Sequence, residues 1–203
     1  MAPMSSADTL HRTLAPHAAG LIGLARESVR HGLERGQPLD ISAADLEPAL
    51  RTTAASFVTL HIDDALRGCV GSIEARLPLA EDIARNAFFA AFHDTRFDPL
   101  HEREFAALDI EISVLGPPEP IAFDSEAELL RLLVVGRDGL ILEQRGRRGV
   151  FLPQVWEDLP DPIDFVAHLK AKAGIGPAPL GADATARRFA VVKLTLAAGA
   201  TAG

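Results

Sequence analysis

The chain has 203 residues, 48% hydrophobic and 24% charged, enough for one sizeable core. Twenty Lys and Arg against 28 Asp and Glu give a net charge of −8, which opposes binding to nucleic-acid phosphates or anionic lipid. One cysteine excludes an internal disulfide, and no apolar run approaches the ~18 residues of a membrane span. These features lead us to expect a cytoplasmic protein with no membrane span and no nucleic-acid partner.

Residues 1–13 are small and polar and are expected to form a flexible tail, leaving 14–203 as the folded domain. Pro16 to Arg35 reads as a helix with a stripe at Leu21, Leu24, Ala25, Ser28, Val29 and Leu33, stopped by Gly36. A shorter helix is expected from Ser42 to Leu50. Ala55 to Ile62 alternates as a strand, and Leu66 to Ser72 returns as its hairpin partner. A three-residue loop, Asp63 to Ala65, keeps Val58, Leu60, Ile62, Leu66 and Val70 on the core face. That register pairs Ile62 with Leu66 and His61 with Arg67, and it puts Thr59, His61, Arg67 and Cys69 on the opposite face.

Pro78 opens a helix over Leu79 to Phe92, and a short helical turn is expected at Glu102 to Phe105. Leu108 to Leu115 alternates as a second strand, ending in a polyproline-like stretch from Pro117 to Pro120. Ser125 to Glu128 has capping-box spacing and starts a helix to about Leu133. Gly139 to Gln144 and Gly149 to Leu152 form another hairpin around an Arg/Gly turn. Asp161-Pro162 caps a helix to Ala173, stopped by Gly174, and Phe189 to Leu196 is a last strand. Helices and strands intermingle without βαβ repetition. The expected fold is therefore α+β, with mixed sheets and flanking helices, in a single domain of two lobes with a cleft.

Leu66-Arg67-Gly68-Cys69-Val70-Gly71 holds the most unusual residues of the chain. Cys69 reads as a nucleophile or redox thiol, with Arg67 favouring the thiolate and His61 within reach as a base. The alternative, and the commoner role of a free cysteine, is a buried small hydrophobe. Gly68 and Gly71 would allow a ligand, or another backbone, to come close. Asp94 and Arg96 either anchor their own loop or clamp a ligand anion, and Glu111 either lines the same site or sits on a solvated strand face. His61, His93 and His101 lack metal-ligand spacing, so no metal is expected. No glycine-rich phosphate loop or nucleophile elbow is present, and no cofactor is expected. The basic runs Arg145 to Arg148 and Arg187-Arg188 read as solvated turn and strand-edge charges.

LRGCVGS, HDTRFDPL, LDIEISVLGPPEPI, GVFLPQVW and KAKAGI occur in this order between Leu21 and Ile175. In this the chain resembles the AMME chromosomal region candidate gene 1 family, whose microbial members are called AmmeMemoRadiSam system protein A. The resemblance matches Leu66 to Gly71 with the family's six-residue hallmark and Asp94, Arg96 and Phe97 with its DxRF element. It also matches Leu152-Pro153 with an LP element, and Lys172 and Gly174 with a K-x-G ending. It implies a two-lobed α+β fold and association with a Memo-like protein and a radical S-adenosylmethionine protein, but it brings no settled activity. Asp138 stands where relatives often carry histidine, Pro177-Ala178-Pro179 replaces a common tryptophan, and His93 lies outside the motif. Two functions are therefore expected. One is a cysteine-centred enzyme or binding protein for a small molecule. The other is a non-catalytic partner of those two proteins.

Overall fold

The structure, a computed structural model, describes residues 6–41 and 46–195. The chain divides into two units: Met1–Leu115 with Val192–Gly203, and Gly116–Val191. The α+β architecture expected from the sequence is the one found, with a four-stranded sheet and its own helices in each unit.

In the first unit, α1 (Ser6–Leu14) and a 3₁₀ turn (Ala15–His17) lead into α2 (Ala18–Arg35). The expected tail is thus helical from Ser6. Leu10 and Leu14, four residues apart, lie on one face of α1 and pack on the core. Gly36 ends α2 in the left-handed conformation, φ 70°. Of the helix expected over Ser42 to Leu50, residues 42–45 lie outside the described residues, and a single turn, α3 (Pro48–Arg51), follows. Strands β1 (Ala55–Ile62) and β2 (Ala65–Gly71) form the hairpin. Helix α4 (Leu79–Phe92) and the turn α5 (Glu102–Phe105) have the expected bounds, with Pro78 at the N-cap of α4. Strand β3 (Asp109–Leu115) pairs antiparallel with β1, and β8 (Val191–Leu194) completes the order β2-β1-β3-β8.

Helix α4 is buried on more than one side because β1 and β2 pack against it and so does α2. Gly32 of α2 explains one of the glycines that weaken that helix. A Cβ there would lie 2.3 Å from the Phe92 ring, so only glycine permits this approach. The core joins Leu21, Ile22, Ala25 and Val29 to Val58, Leu60, Ile83, Ala87, Ile110, Ile112 and Val114. At the start of α4 the buried Asp82 carboxylate ties the helix to the sheet. It accepts from Ser56 N (2.8 Å), Ser56 Oγ (2.6 Å), Ser72 Oγ (2.9 Å) and Asn86 Nδ2 (2.9 Å).

The second unit has strand order β4-β7-β5-β6: β4 (Glu119–Ile121), β5 (Gly139–Gln144), β6 (Arg147–Phe151) and β7 (Thr185–Phe189). The stretch expected to be polyproline-like contributes β4, an edge strand, where Pro120 costs the sheet no ladder bond. Strand β7 lies mostly ahead of the expected last strand, sharing only Phe189 with it; the chain breaks at Ala190 before β8, and Leu196 lies outside the described residues. Ser125 caps α6 (Glu126–Leu132), accepting from Glu128 N. A turn not foreseen, α7 (Val155–Asp158), places Trp156 flat against Phe165, centroids 3.7 Å apart. Helix α8 (Pro162–Ala173) is capped by Asp161 and stopped by Gly174 at φ 71°, as the sequence indicates.

Candidate functional site

The hairpin that carries the motif is built differently from the expected one. Ile62 pairs with Ala65, so the loop is the two residues Asp63 and Asp64, both at positive φ (49° and 62°). A tight turn alone would put the apolar faces out of step. A bulge corrects this: Leu60 pairs with Gly68 and His61 with Leu66, leaving Arg67 as the extra residue. Beyond it Thr59 faces Cys69 and Val58 faces Val70, the register required by the core. Leu66, expected inside, is 41% exposed because it lies on the turn side of the bulge.

The bulge aims Arg67 at α5. Its Nε donates to Glu104 Oε1 at 2.7 Å and its Nη2 to Glu104 Oε2 at 3.1 Å, a two-pronged ion pair. Glu104 Oε2 also accepts from His101 N at 2.8 Å, closing the cap of α5. Bonding to Arg67, with a further contribution from the His101 amide, lowers the Glu104 carboxyl from 4.5 to about 2. The same pairing raises the Arg67 guanidinium above its ordinary value.

Cys69 sits on β2, an edge strand, and its outward backbone groups are covered by a side-chain clamp. Asp94 Oδ2 accepts from Cys69 N at 2.8 Å, and Arg96 Nη2 reaches Cys69 O at 3.5 Å. Arg96 also donates to Asp94 through Nε (2.9 Å) and Nη2 (2.6 Å). The pair stands in for a neighbouring strand and blunts the edge. The Asp94 side chain is only 7% exposed, and Arg96, followed by the Cys69 amide, holds its carboxyl far below the usual carboxylate range. Thr59 Oγ1 donates to Cys69 Sγ at 3.3 Å. Thr59 in turn faces Glu111 on β3, and Glu111 pairs with Lys193 of β8 at 3.3 Å. A row of thiol, hydroxyl, carboxylate and ammonium thus runs across the sheet on its non-core face.

Of the residues singled out from the sequence, Cys69, Asp94, Arg96 and Glu111 belong to this arrangement. Glu111 is two strands from Cys69, about 10 Å at ordinary strand spacing. Arg67 is engaged with Glu104. His61 is half-buried beyond Thr59, and among the described residues it makes no hydrogen bond to Cys69. Gly68 and Gly71 serve close packing. A Cβ at Gly68 would lie 2.1 Å from Ala90 O on α4, and one at Gly71 would lie 2.3 Å from the Phe57 ring. Glu104 and Lys193 were not singled out, and Thr59 was placed on the Cys69 face without a role. Nothing local in the sequence ties Glu104 to Arg67. Among the described residues no group of three or more His, Cys, Asp or Glu is placed to hold a metal ion.

The family model described as AMMECR1 matches residues 22–194. The chain belongs to the AMMECR1 family. Similar AMMECR1-family chains include a protein of Thermofilum pendens, 39% identical over 175 residues, covering 81% of this chain and 82% of the relative. A protein of Methanothermobacter thermautotrophicus is 37% identical over 158 residues, covering 77% and 82%. The crystal structure of an uncharacterised protein from Pyrococcus horikoshii superposes with a TM-score of 0.73 at 33% identity, covering 88% of this chain and 90% of that one. Among the described residues no helix is long and apolar enough to cross a membrane.

Proposed function

We propose that this AMMECR1-family protein binds a small molecule on the non-core face of its first sheet, with Cys69 Sγ as the group that meets the ligand. The row from Cys69 through Thr59 and Glu111 to Lys193 carries this reading, because it sets a free, half-buried thiol beside a polar face that can orient a ligand. Asp94 and Arg96 fix the Cys69 backbone, and Arg67 acts at one remove by anchoring α5. His61 flanks the row. A single free thiol suits a reducing, cytoplasmic compartment. The test is native alkylation of Cys69 by iodoacetamide across pH. Fast reaction persisting below about pH 8.5 supports the reading. Alkylation that waits for denaturation overturns it.

A second reading, a non-catalytic partner of a Memo-like protein and a radical S-adenosylmethionine protein, draws on how the motif's other residues are used. Arg67, Gly68 and Gly71 are committed to internal packing and pairing, which a scaffold requires as much as an enzyme. Cys69→Ala separates the two. Retained cellular function with retained partner capture favours the scaffold, whereas lost function with capture intact favours the thiol.

A further inference from the structure

We infer that the second unit carries a separate anion pocket that takes the phosphoryl group of a small molecule. The β5–β6 turn and the end of α8 border a solvent-open cavity of about 330 Å³, lined by Gln144, Arg145, Arg147, Gly174, Ile175 and Gly176. That volume falls within the range of small-molecule sites, about 300–1,000 Å³. The lining contains two guanidiniums and a primary amide but no carboxylate. In a chain of net charge −8, such a concentration of donors runs against the average field.

Two of the donors, Gln144 and Arg147, are held in place from within. The turn is only Arg145 and Gly146, both at positive φ (51° and 72°), which sets where Arg145 leaves the hairpin. Arg147 Nη1 donates to Gly174 O, anchoring that guanidinium at the cavity wall. A Cβ at Gly174 would lie 3.0 Å from the same nitrogen, so the glycine that stops α8 also leaves room for Arg147. Donors fixed before binding lose less entropy when a ligand arrives. An in-chain oxyanion already uses two of these donors. Asp183 accepts from Gln144 Nε2 at 2.9 Å and pairs with Arg145 Nε at 3.4 Å, and these contacts, Gln144 first, lower its carboxyl. The terminal nitrogens of Arg145 would extend that arrangement into the cavity. A phosphate monoester clusters three acceptor oxygens on one centre, which two guanidinium forks can share, whereas each carboxylate of a dicarboxylate offers only two.

The test follows backbone amide and arginine Nε NMR signals of the full chain as inorganic phosphate is added at fixed ionic strength. Chloride and succinate are titrated in parallel. Saturable shifts at Arg145, Arg147 and residues 174–176, at least tenfold weaker with succinate and not saturable with chloride, are expected. Arg145→Gln, at a side chain 80% exposed, should weaken phosphate at least tenfold with an otherwise unchanged spectrum. Gly176→Asp, where a Cβ meets nothing within 4 Å, should do the same by adding a negative charge. Equal response to succinate or chloride, no saturation below about 10 mM phosphate, or unaltered binding in both variants would overturn the inference.

Discussion

Glu104→Gln removes one charge from the Arg67–Glu104 pair while leaving an acceptor for His101 N, because Gln is also a competent capping-box residue. The folded-state carboxyl falls from 4.5 to about 2, and a depressed carboxyl contributes stability that is complete above its unfolded value. That stability is lost as pH drops through the interval towards about 2. The whole interval corresponds to about 3 kcal/mol, and solvent screening of side chains still 15% and 23% exposed reduces it to about 2 kcal/mol. Urea unfolding followed by far-UV circular dichroism should therefore give a wild-type advantage of about 2 kcal/mol near pH 7. The advantage should shrink below about 1 kcal/mol near pH 3, because the other carboxylates titrate alike in both proteins. A difference that stays constant across this range would refute the reasoning and reduce the pair to shape alone.

Gly68→Ala forces a methyl group to within 2.1 Å of Ala90 O and should cost about 3 kcal/mol in the same assay, whereas an unchanged midpoint would mean that α4 shifts freely. Asp82→Ala strands Ser56 N and removes the acceptor of Ser56 Oγ in the interior, while Asn86 Nδ2 keeps its bond to Ser56 O, and it should cost about 3 kcal/mol. Asp82→Asn should recover part of that loss by keeping an acceptor; equal damage from both would point to charge rather than hydrogen bonding.

Elements governed by neighbours in sequence were legible. Helices α4 and α8 have their expected bounds because Pro78, Asp161 and Gly174 act within a turn of their own positions. The strand faces of β1 and β3 followed from alternation, and the pairing of Thr59 with Cys69 followed from the core face. The route to that pairing was not legible. A tight turn with a bulge and a longer loop without one give the same register, and Asp63-Asp64 lacks the glycine that would have signalled the tight form. The tail was misjudged because Leu10 and Leu14 are too few to reveal an amphipathic helix until a core is there to receive them. Among site residues, Asp94 and Arg96 share a loop and could be paired by proximity. Arg67 and Glu104 meet only through the fold, which is why the arginine looked available to the thiol.

The connectivity of the first sheet has a consequence for how the protein is made. Strand β3 ends at Leu115, and its outer neighbour β8 begins at Val191, only after residues 116–190 have been synthesised. On the ribosome, β2, β1 and β3 can assemble early, while β3 presents an unpaired edge until the final strand emerges. Such an edge can recruit another chain, so the nascent protein passes through a vulnerable interval set by translation speed. Truncation just before Val191 would make that interval permanent, turning a folding intermediate into an aggregation-prone product.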